Sequence, residues 1–391
     1  MSPEFSLNLG NIPQPREKVE MTFDQRINFA DALSKTINAG LESQSKRIFW
    51  NPTVIDPFRC KVNDDLKTEE YYKRIGVEVK KMEDNGVEML NNFELMAKKY
   101  LFYLAQLNRI AMPYTETPVL EKREKAKDKT KKMLENIGKR SDGLPVLIVK
   151  KPNGLFGSKS HGGEGIEILD PNKTDFKWND NDLIFQEFIY PPLDIFKDGY
   201  MRDARIILID GEPKVWYMRR AKDRLINPIT KKLDENLPSR SRFLSNLCQE
   251  GTYEEPPKEL KKKSFQFARE IYQEILDWGN LYRKVTWQIG GEAKCRFLAV
   301  DLLYDQNGNP KLLEVDTYPN MNLFPKGEVL AEKMASYLKE LSGKTGKSIL
   351  INNLFCDNKL ANETTRILVN KNIKCEQMIF PPEVLEMLGR R

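Results

Sequence analysis

Arg296-Phe-Leu-Ala-Val-Asp-Leu-Leu-Tyr-Asp-Gln-Asn-Gly-Asn-Pro-Lys-Leu-Leu-Glu-Val-Asp-Thr-Tyr-Pro-Asn-Met-Asn322 is the stretch that decides how this chain folds. Two apolar runs flank Asn307-Gly308, a dipeptide suited to the two-residue hairpin turns that need positive φ. A symmetric turn there sets Asp301 directly opposite Glu314. Strand alternation adds Asp316 to the same face and puts Leu313 and Val315 on the other. Three carboxylates this close repel one another unless positive charge lies between them. One such acid is an ordinary solvated strand residue. Three aligned acids inside apolar strands point instead to a hard divalent cation, which takes carboxylate oxygens together with substrate phosphates.

The rest of the composition narrows the chemistry. Among 391 residues there is one histidine, His161, so a His-based triad has a single candidate and multi-histidine zinc sites are excluded. Five cysteines (Cys60, Cys248, Cys295, Cys356 and Cys375) are scattered without metal-ligand spacing. They suit a reducing cytoplasm better than a disulfide framework. The net charge of +6 would help hold polyphosphate or an acidic substrate. It is too small an excess to argue for nucleic acid. Neither a membrane-span-length apolar run nor a signal-peptide pattern is present, so no membrane partner is expected. Homo-oligomerisation is left open.

Working outward from the hairpin, a helix carrying Ala268, Ile271, Tyr272, Ile275 and Leu276 on one face leads into it, and a helix with Leu330, Met334, Leu338 and Leu341 follows. Upstream, residues 203–220 read as another hairpin, turning at Asp210-Gly211. A symmetric turn puts Asp203, Arg205 and Arg220 on one face and Arg219 on the other; two arginines beside an acidic hairpin look like a phosphate clamp. Residues 222–257 read as loop. Residues 182–189 form an apolar strand stopped by Pro191-Pro192. Before it, residues 144–151 form a strand ending in Lys150-Lys151, followed by a segment with five glycines in residues 152–165 and a strand at Ile166–Leu169. A glycine-rich flap of this kind lets backbone N–H groups approach phosphate oxygens.

Earlier still, residues 92–105 give a helix bearing Lys98 and Lys99, and residues 110–115 a strand. Residues 121–140 make a solvated helix of mixed charge. Residues 1–20 read as an arm, 22–41 as a helix and 47–52 as a short strand ending at proline. Residues 60–90 are charged and only weakly periodic and read as helix and loop, and no clear βαβ unit shows before residue 90. The tail has one: strands over 348–355 and 373–380 around a helix at 363–370, and then a last helix at 382–388.

The order of helix lysine, strand lysine, glycine loop, hinge strand, D-x-R hairpin and carboxylate hairpin resembles the ATP-grasp ligases, most nearly the glutathione synthetase and ribosomal-protein glutamate ligase branch. The resemblance covers about residues 92–341. It implies an α+β, α/β fold in which two lobes sandwich ATP, and ligation of a carboxylate to an amine through an acyl phosphate. By the same resemblance Lys99 and Lys151 reach the ATP phosphates, and His161, Gly162, Gly163 and Gly165 belong to the loop over them. Gln186, Glu187, Phe188 and Ile189 form the hinge that reads adenine, with Asp203 in the nucleotide site. Arg205 and Arg220 steady the transferring phosphoryl group, and Asn246 lies near the substrate carboxylate. Asp301 and Glu314 hold Mg²⁺, with Asp316 where the family has asparagine. That extra charge calls for a second Mg²⁺, with Mn²⁺ as an alternative metal, or for Arg220 nearby to compensate it. Pro319-Asn320 replaces the family's P-G near the acceptor, which leaves the small-molecule or peptide carboxylate and amine substrates open.

The expected organisation is an N-terminal region over 1–110, a small lobe over 111–190, a large lobe over 191–345 and a C-terminal βαβ segment over 346–391. Because the first region lacks its own βαβ units, the tail is expected to pack back and complete it. A kinase on the same fold, phosphorylating a polyol or inositol phosphate, and a non-catalytic ATP-binding protein are the competing readings.

Overall fold

The structure, a computed structural model, describes residues 47–50, 65–93, 110–116, 135, 147–150, 166–169, 184–234, 240–243, 245, 251–316, 327–353 and 359–378. In chain order these give β1 (Arg47–Trp50), α1 (Asp65–Asp84), β2 (Glu88–Met89), β3 (Thr115–Glu116), β4 (Leu147–Lys150), β5 (Ile166–Leu169) and β6 (Ile184–Glu187). There follow β7 (Arg202–Ile209), β8 (Glu212–Arg220), β9 (Thr252–Glu254), α2 (Lys261–Val285), β10 (Phe297–Tyr304), β11 (Pro310–Asp316) and α3 (Gly327–Thr345). Last come β12 (Ser348–Asn352), α4 (Lys359–Asn370) and β13 (Cys375–Met378). The expected helices over 22–41, 92–105, 121–140 and 382–388 fall wholly or almost wholly outside the described residues.

These elements make three sheets, and the fold mixes helices with parallel and antiparallel sheets, the α+β, α/β class expected from the sequence. The first sheet, ordered β13-β12-β1-β2, is parallel throughout. The tail does complete the N-terminal sheet: Arg47 to Trp50 pair with Ser348 to Ile351 across some 300 residues of sequence. The N-terminal part also has a βαβ unit of its own, β1-α1-β2, which the sequence hides because its strands are four and two residues long. The second sheet, β3-β6-β4-β5, is small and antiparallel. Its outer strand is shorter than the expected 110–115. Pro113 cannot donate to a ladder, and Ala111 instead accepts the Leu312 N–H at 2.8 Å.

The third sheet, β11-β10-β7-β8-β9, is antiparallel and has a differently covered apolar layer on each side. Ala204, Ile206, Leu208, Leu298, Val300 and Leu302 face α2, which offers Ala268, Ile271 and Ile275 at helical spacing. On the other side, Ile207, Ile209, Val215, Phe297 and Ala299 pack with Leu330, Met334 and Leu338 of α3 and with Ile48, Trp50, Ile349 and Ile351 of the parallel sheet. Thus the large sheet and the N-terminal sheet share one core.

Farther along α2 the helix passes so close to Phe93 that only glycine fits. A Cβ on Gly279 would lie 2.5 Å from the Phe93 ring and 2.8 Å from the Ala293 Cβ. We expect Gly279→Val to destabilise by about 1–3 kcal/mol through overpacking, seen as a lower urea midpoint at unchanged m-value. An unchanged midpoint would mean that this approach is not maintained in solution.

Candidate active site

The two hairpins reach their final registers by departures that the symmetric-turn reading did not include. At β7–β8 the turn is as expected, with Asp210 at φ 53° and Gly211 at φ 77°. One residue later the pairing slips: Leu208 faces Pro213, but Ile207 faces Val215. Lys214 is the extra residue of a β-bulge, beside a proline that cannot complete the ladder. The slip reverses the faces of the rest of β8. Arg219 therefore lies opposite Asp203, and Arg220 opposite Arg202.

That corrects the expected clamp. Arg219, not Arg220, shares a face with Asp203 and Arg205. Arg220 is on the other side, paired with Glu254 at 2.9 Å and set 4.7 Å over the Tyr200 ring. Pro213, two residues past the turn, was the signal that could have given Arg219 its place.

At β10–β11 two departures cancel. The turn is wider than two residues: Asp305 N–H bonds the Asn309 carbonyl, Gly308 N–H bonds the Asp305 carbonyl, and Gly308 takes φ 69°. The Asp305 carboxylate accepts the Asn307 and Asn309 N–H groups and holds this loop open. A bulge between Asp301 and Leu302 then restores the count, so that Asp301 does face Glu314, and Ala299 faces Asp316. Leu313 changes company in the process. Leu312 and Val315 enter the core under α2, whereas Leu313 packs against the small sheet.

The result is an ionic layer on one face of the large sheet. One row across it reads Tyr217, Arg205, Asp301, Glu314, and the next Val215, Ile207, Ala299, Asp316. Arg205 grips Asp301 with both Nε and Nη2, each at 2.6 Å. Arg219 grips Asp203 the same way, at 2.6 and 2.8 Å, and reaches Asp301 through Nη2 at 3.0 Å. The Ser245 side chain also hydrogen-bonds Asp203.

All four charged groups are buried or nearly so, with side-chain exposures of 4–14%. Burial pushes the Asp301 carboxyl upward, but the Arg205 and Arg219 charges outweigh it and hold it at about 2. Asp203 is driven the other way: its burial and the Asp301 charge raise it against the pull of Arg219. Burial likewise pushes the Tyr217 hydroxyl up to about 12, so it stays neutral beneath the arginines.

The positive charge that Asp301 required is therefore supplied by two guanidinium groups. Glu314 and Asp316, both half-buried, lie on the same face at the rim of this layer. Those two hard oxygen donors fit a divalent cation. Asp301, as it is placed, does not fit, because its oxygens already accept three guanidinium hydrogen bonds. Among the described residues no three of His, Cys, Asp or Glu are grouped to hold a metal ion.

Along β10 the same face continues to Leu303, which joins Leu313, Phe188, Ile189 and Ile148 in an apolar seam between the large and small sheets. Gln186 is buried in the small sheet and donates to the Thr115 hydroxyl at 2.9 Å, and Glu187 N–H bonds the Tyr114 carbonyl. The strand ladder ends at Glu187, so Phe188 and Ile189 carry the backbone out of the sheet into that seam. Lys99, Lys151, His161, Gly162, Gly163, Gly165 and Asn246 lie outside the described residues.

No family model matches this chain, and no curated protein matches it. Solved structures do. The D-cycloserine synthetase DcsG is 10% identical, with 71% of this chain and 80% of that one covered at a TM-score of 0.38. The macrocyclase MdnC from Microcystis aeruginosa, bound with its precursor peptide MdnA, is 9% identical over 77% of this chain and 80% of that one, at 0.42. The ATP-grasp ligase PsnB, complexed with precursor peptide PsnA2 and AMPPNP, is 13% identical, at 0.35. There 66% of this chain aligns with 61% of PsnB, so the chain spans less than two thirds of that protein. No described helix is long and apolar enough to cross a membrane.

Proposed function

We propose that this chain is an ATP-dependent ligase of the ATP-grasp type, joining a carboxylate to an amine through an acyl phosphate and releasing ADP and phosphate. One observation carries the reading: a buried Arg205–Asp301–Arg219–Asp203 layer lies between the acidic rim of Glu314 and Asp316 and an apolar seam under the Phe188–Ile189 hinge. That sequence of surfaces matches the parts of a nucleotide triphosphate, with apolar walls for the base and fixed charge for the phosphates.

In this reading Phe188, Ile189, Leu303 and Leu313 flank the adenine, and Gln186 and Glu187 fix the hinge to the small sheet. Arg205 and Arg219, already oriented by buried aspartates, stabilise negative charge on the transferring phosphoryl group at little reorganisation cost. Lys99, Lys151 and the loop of His161, Gly162, Gly163 and Gly165 are assigned to the phosphates, and Asn246, next to the anchored Ser245, to the substrate carboxylate. Glu314 and Asp316 hold Mg²⁺, which when bound supplies charge neutralisation at the phosphates. Arg220, on the opposite face, is left a structural role. The division into 1–110, 111–190, 191–345 and 346–391 follows the same reading, with the last segment serving the first. A cytoplasmic setting and a small-molecule or peptide substrate pair belong to the proposal too.

The test is ADP release and product mass across a panel of acids and amines with ATP and Mg²⁺. Ligation predicts ADP formation that needs both partners and an amide product. A phosphorylated alcohol would favour the kinase, and nucleotide binding without turnover in any pair would favour the non-catalytic reading.

A further inference from the structure

Where the parallel sheet meets the large sheet, three cations gather around one carboxylate. Glu88 opens β2, Lys347 precedes β12, and Lys294 and Arg296 lead into β10. Backbone bonds hold this frame: Asn92 N–H donates to the Lys294 carbonyl at 3.0 Å, and Arg296 N–H to the Leu90 carbonyl at 2.9 Å. The Arg296 carbonyl in turn accepts the Asp210 N–H at 2.8 Å, which sets the cluster beside the β7–β8 turn. Asp203 is at the opposite end of β7, about 20 Å away.

The cations do not share the Glu88 oxygens evenly. Lys294 Nζ and Arg296 Nη2 converge on a single oxygen, Oε1, at 3.0 and 2.8 Å. Lys347 Nζ stands 3.8 Å from Oε2 and donates instead to the Gly86 carbonyl at 3.0 Å. Asp210 approaches Arg296 Nε at 3.9 Å from a position more than half exposed, where water screens it. Arg296 Nη1 is buried and has no hydrogen-bond partner among the described residues. Burial pushes the Glu88 carboxyl upward, but Lys294, Arg296 and Lys347 outweigh it and hold it below the usual range. At side-chain exposures of 17–33% the three cations are partly out of water and repel one another. A phosphate group brings an oxygen for each of them and more negative charge than one carboxylate.

We propose that Lys294, Arg296 and Lys347 form a phosphate-binding site at the far end of β7 from the ionic layer, taking inorganic phosphate or a phosphomonoester. Arg296 offers its planar fork and each lysine a single ammonium, so the three address different oxygens of one group. Glu88 orders the cations but lies beside the bound anion, and its like charge weakens the binding. The site is independent of the ligase reading and stands whatever reaction the chain carries out.

The experiment titrates the full-length protein with inorganic phosphate and, separately, with glycerol 1-phosphate, at an ionic strength matched with sodium chloride. The signal is the Arg296 Nε–H resonance, so phosphate held elsewhere on the chain is not counted. Wild type should give a saturable shift at millimolar concentration or below. Saturation by inorganic phosphate assigns the free anion, and saturation by glycerol 1-phosphate alone assigns a phosphomonoester. Lys347→Gln should weaken binding about tenfold, the loss expected for one charged contact. Glu88→Gln should tighten it severalfold, the opposite sign from the loss of a merely structural contact.

A shift no larger than chloride alone produces overturns the proposal. So does unchanged affinity in Lys347→Gln, or weaker binding in Glu88→Gln. Where either variant does not fold, the wild-type titration against chloride decides by itself.

Discussion

Glu314→Gln is expected to lower turnover by about a hundredfold or more while adenine-nucleotide affinity stays within a fewfold of wild type. The substitution keeps size and hydrogen-bonding reach but removes the charge of a half-buried carboxylate that lies beside Asp301 across the hairpin. Base recognition is assigned to the Phe188–Ile189 seam, which Glu314 does not join. The two halves of the site should therefore separate in one variant, read as a loss in kcat with nucleotide Kd preserved. A variant with wild-type rate would remove Glu314 from the metal site, and equal loss of nucleotide binding would place the base elsewhere.

Arg219→Met should be the most destabilising of the site substitutions, by about 3–5 kcal/mol, because it takes the guanidinium counter-charge from buried Asp203 and one of its hydrogen bonds from Asp301. Arg220→Met, one residue away, should cost only about 0–1 kcal/mol, since its partnership with Glu254 is at the partly exposed edge. Urea unfolding of the two variants side by side measures this directly. The contrast depends on the bulge at Lys214. If the two variants were reversed in severity, the β7–β8 register would be wrong and Arg220 would be the residue facing Asp301.

That bulge also marks where sequence reading reaches its limit. Alternation fixes which residues share a face only while the count between strands holds, and a single extra residue exchanges the faces. The Asp210-Gly211 turn was legible, because few dipeptides accept positive φ twice. The Lys214 bulge was not, although Pro213 hinted at it. At the second hairpin the wider turn and the Leu313 bulge offset one another, so Asp301 and Glu314 were correctly paired for an incomplete reason. The need for positive charge beside Asp301 was legible too. Its source was not: ion pairing across Arg205, Asp301 and Arg219 depends on strand order in the sheet, and β10 lies beside β7 although they are about 90 residues apart.

The closure of the N-terminal sheet by the tail followed from a simple deficit. A parallel sheet with too few strands on one side and an unattached βαβ unit on the other satisfy each other. The β1-α1-β2 unit stayed hidden because two- and four-residue strands leave no periodicity to read. Lys99, Lys151, the glycine loop and Asn246 rest on the order of motifs alone.

The central claim is that a carboxylate is activated by phosphoryl transfer over the Arg205–Asp301 layer before an amine displaces phosphate. The most direct test uses the acid substrate labelled with ¹⁸O in its carboxyl group, with ATP, Mg²⁺ and the amine, followed by mass analysis of the phosphate released. An acyl phosphate predicts one ¹⁸O atom carried from the acid into inorganic phosphate for each amide formed. Amide formation with unlabelled phosphate would contradict the account.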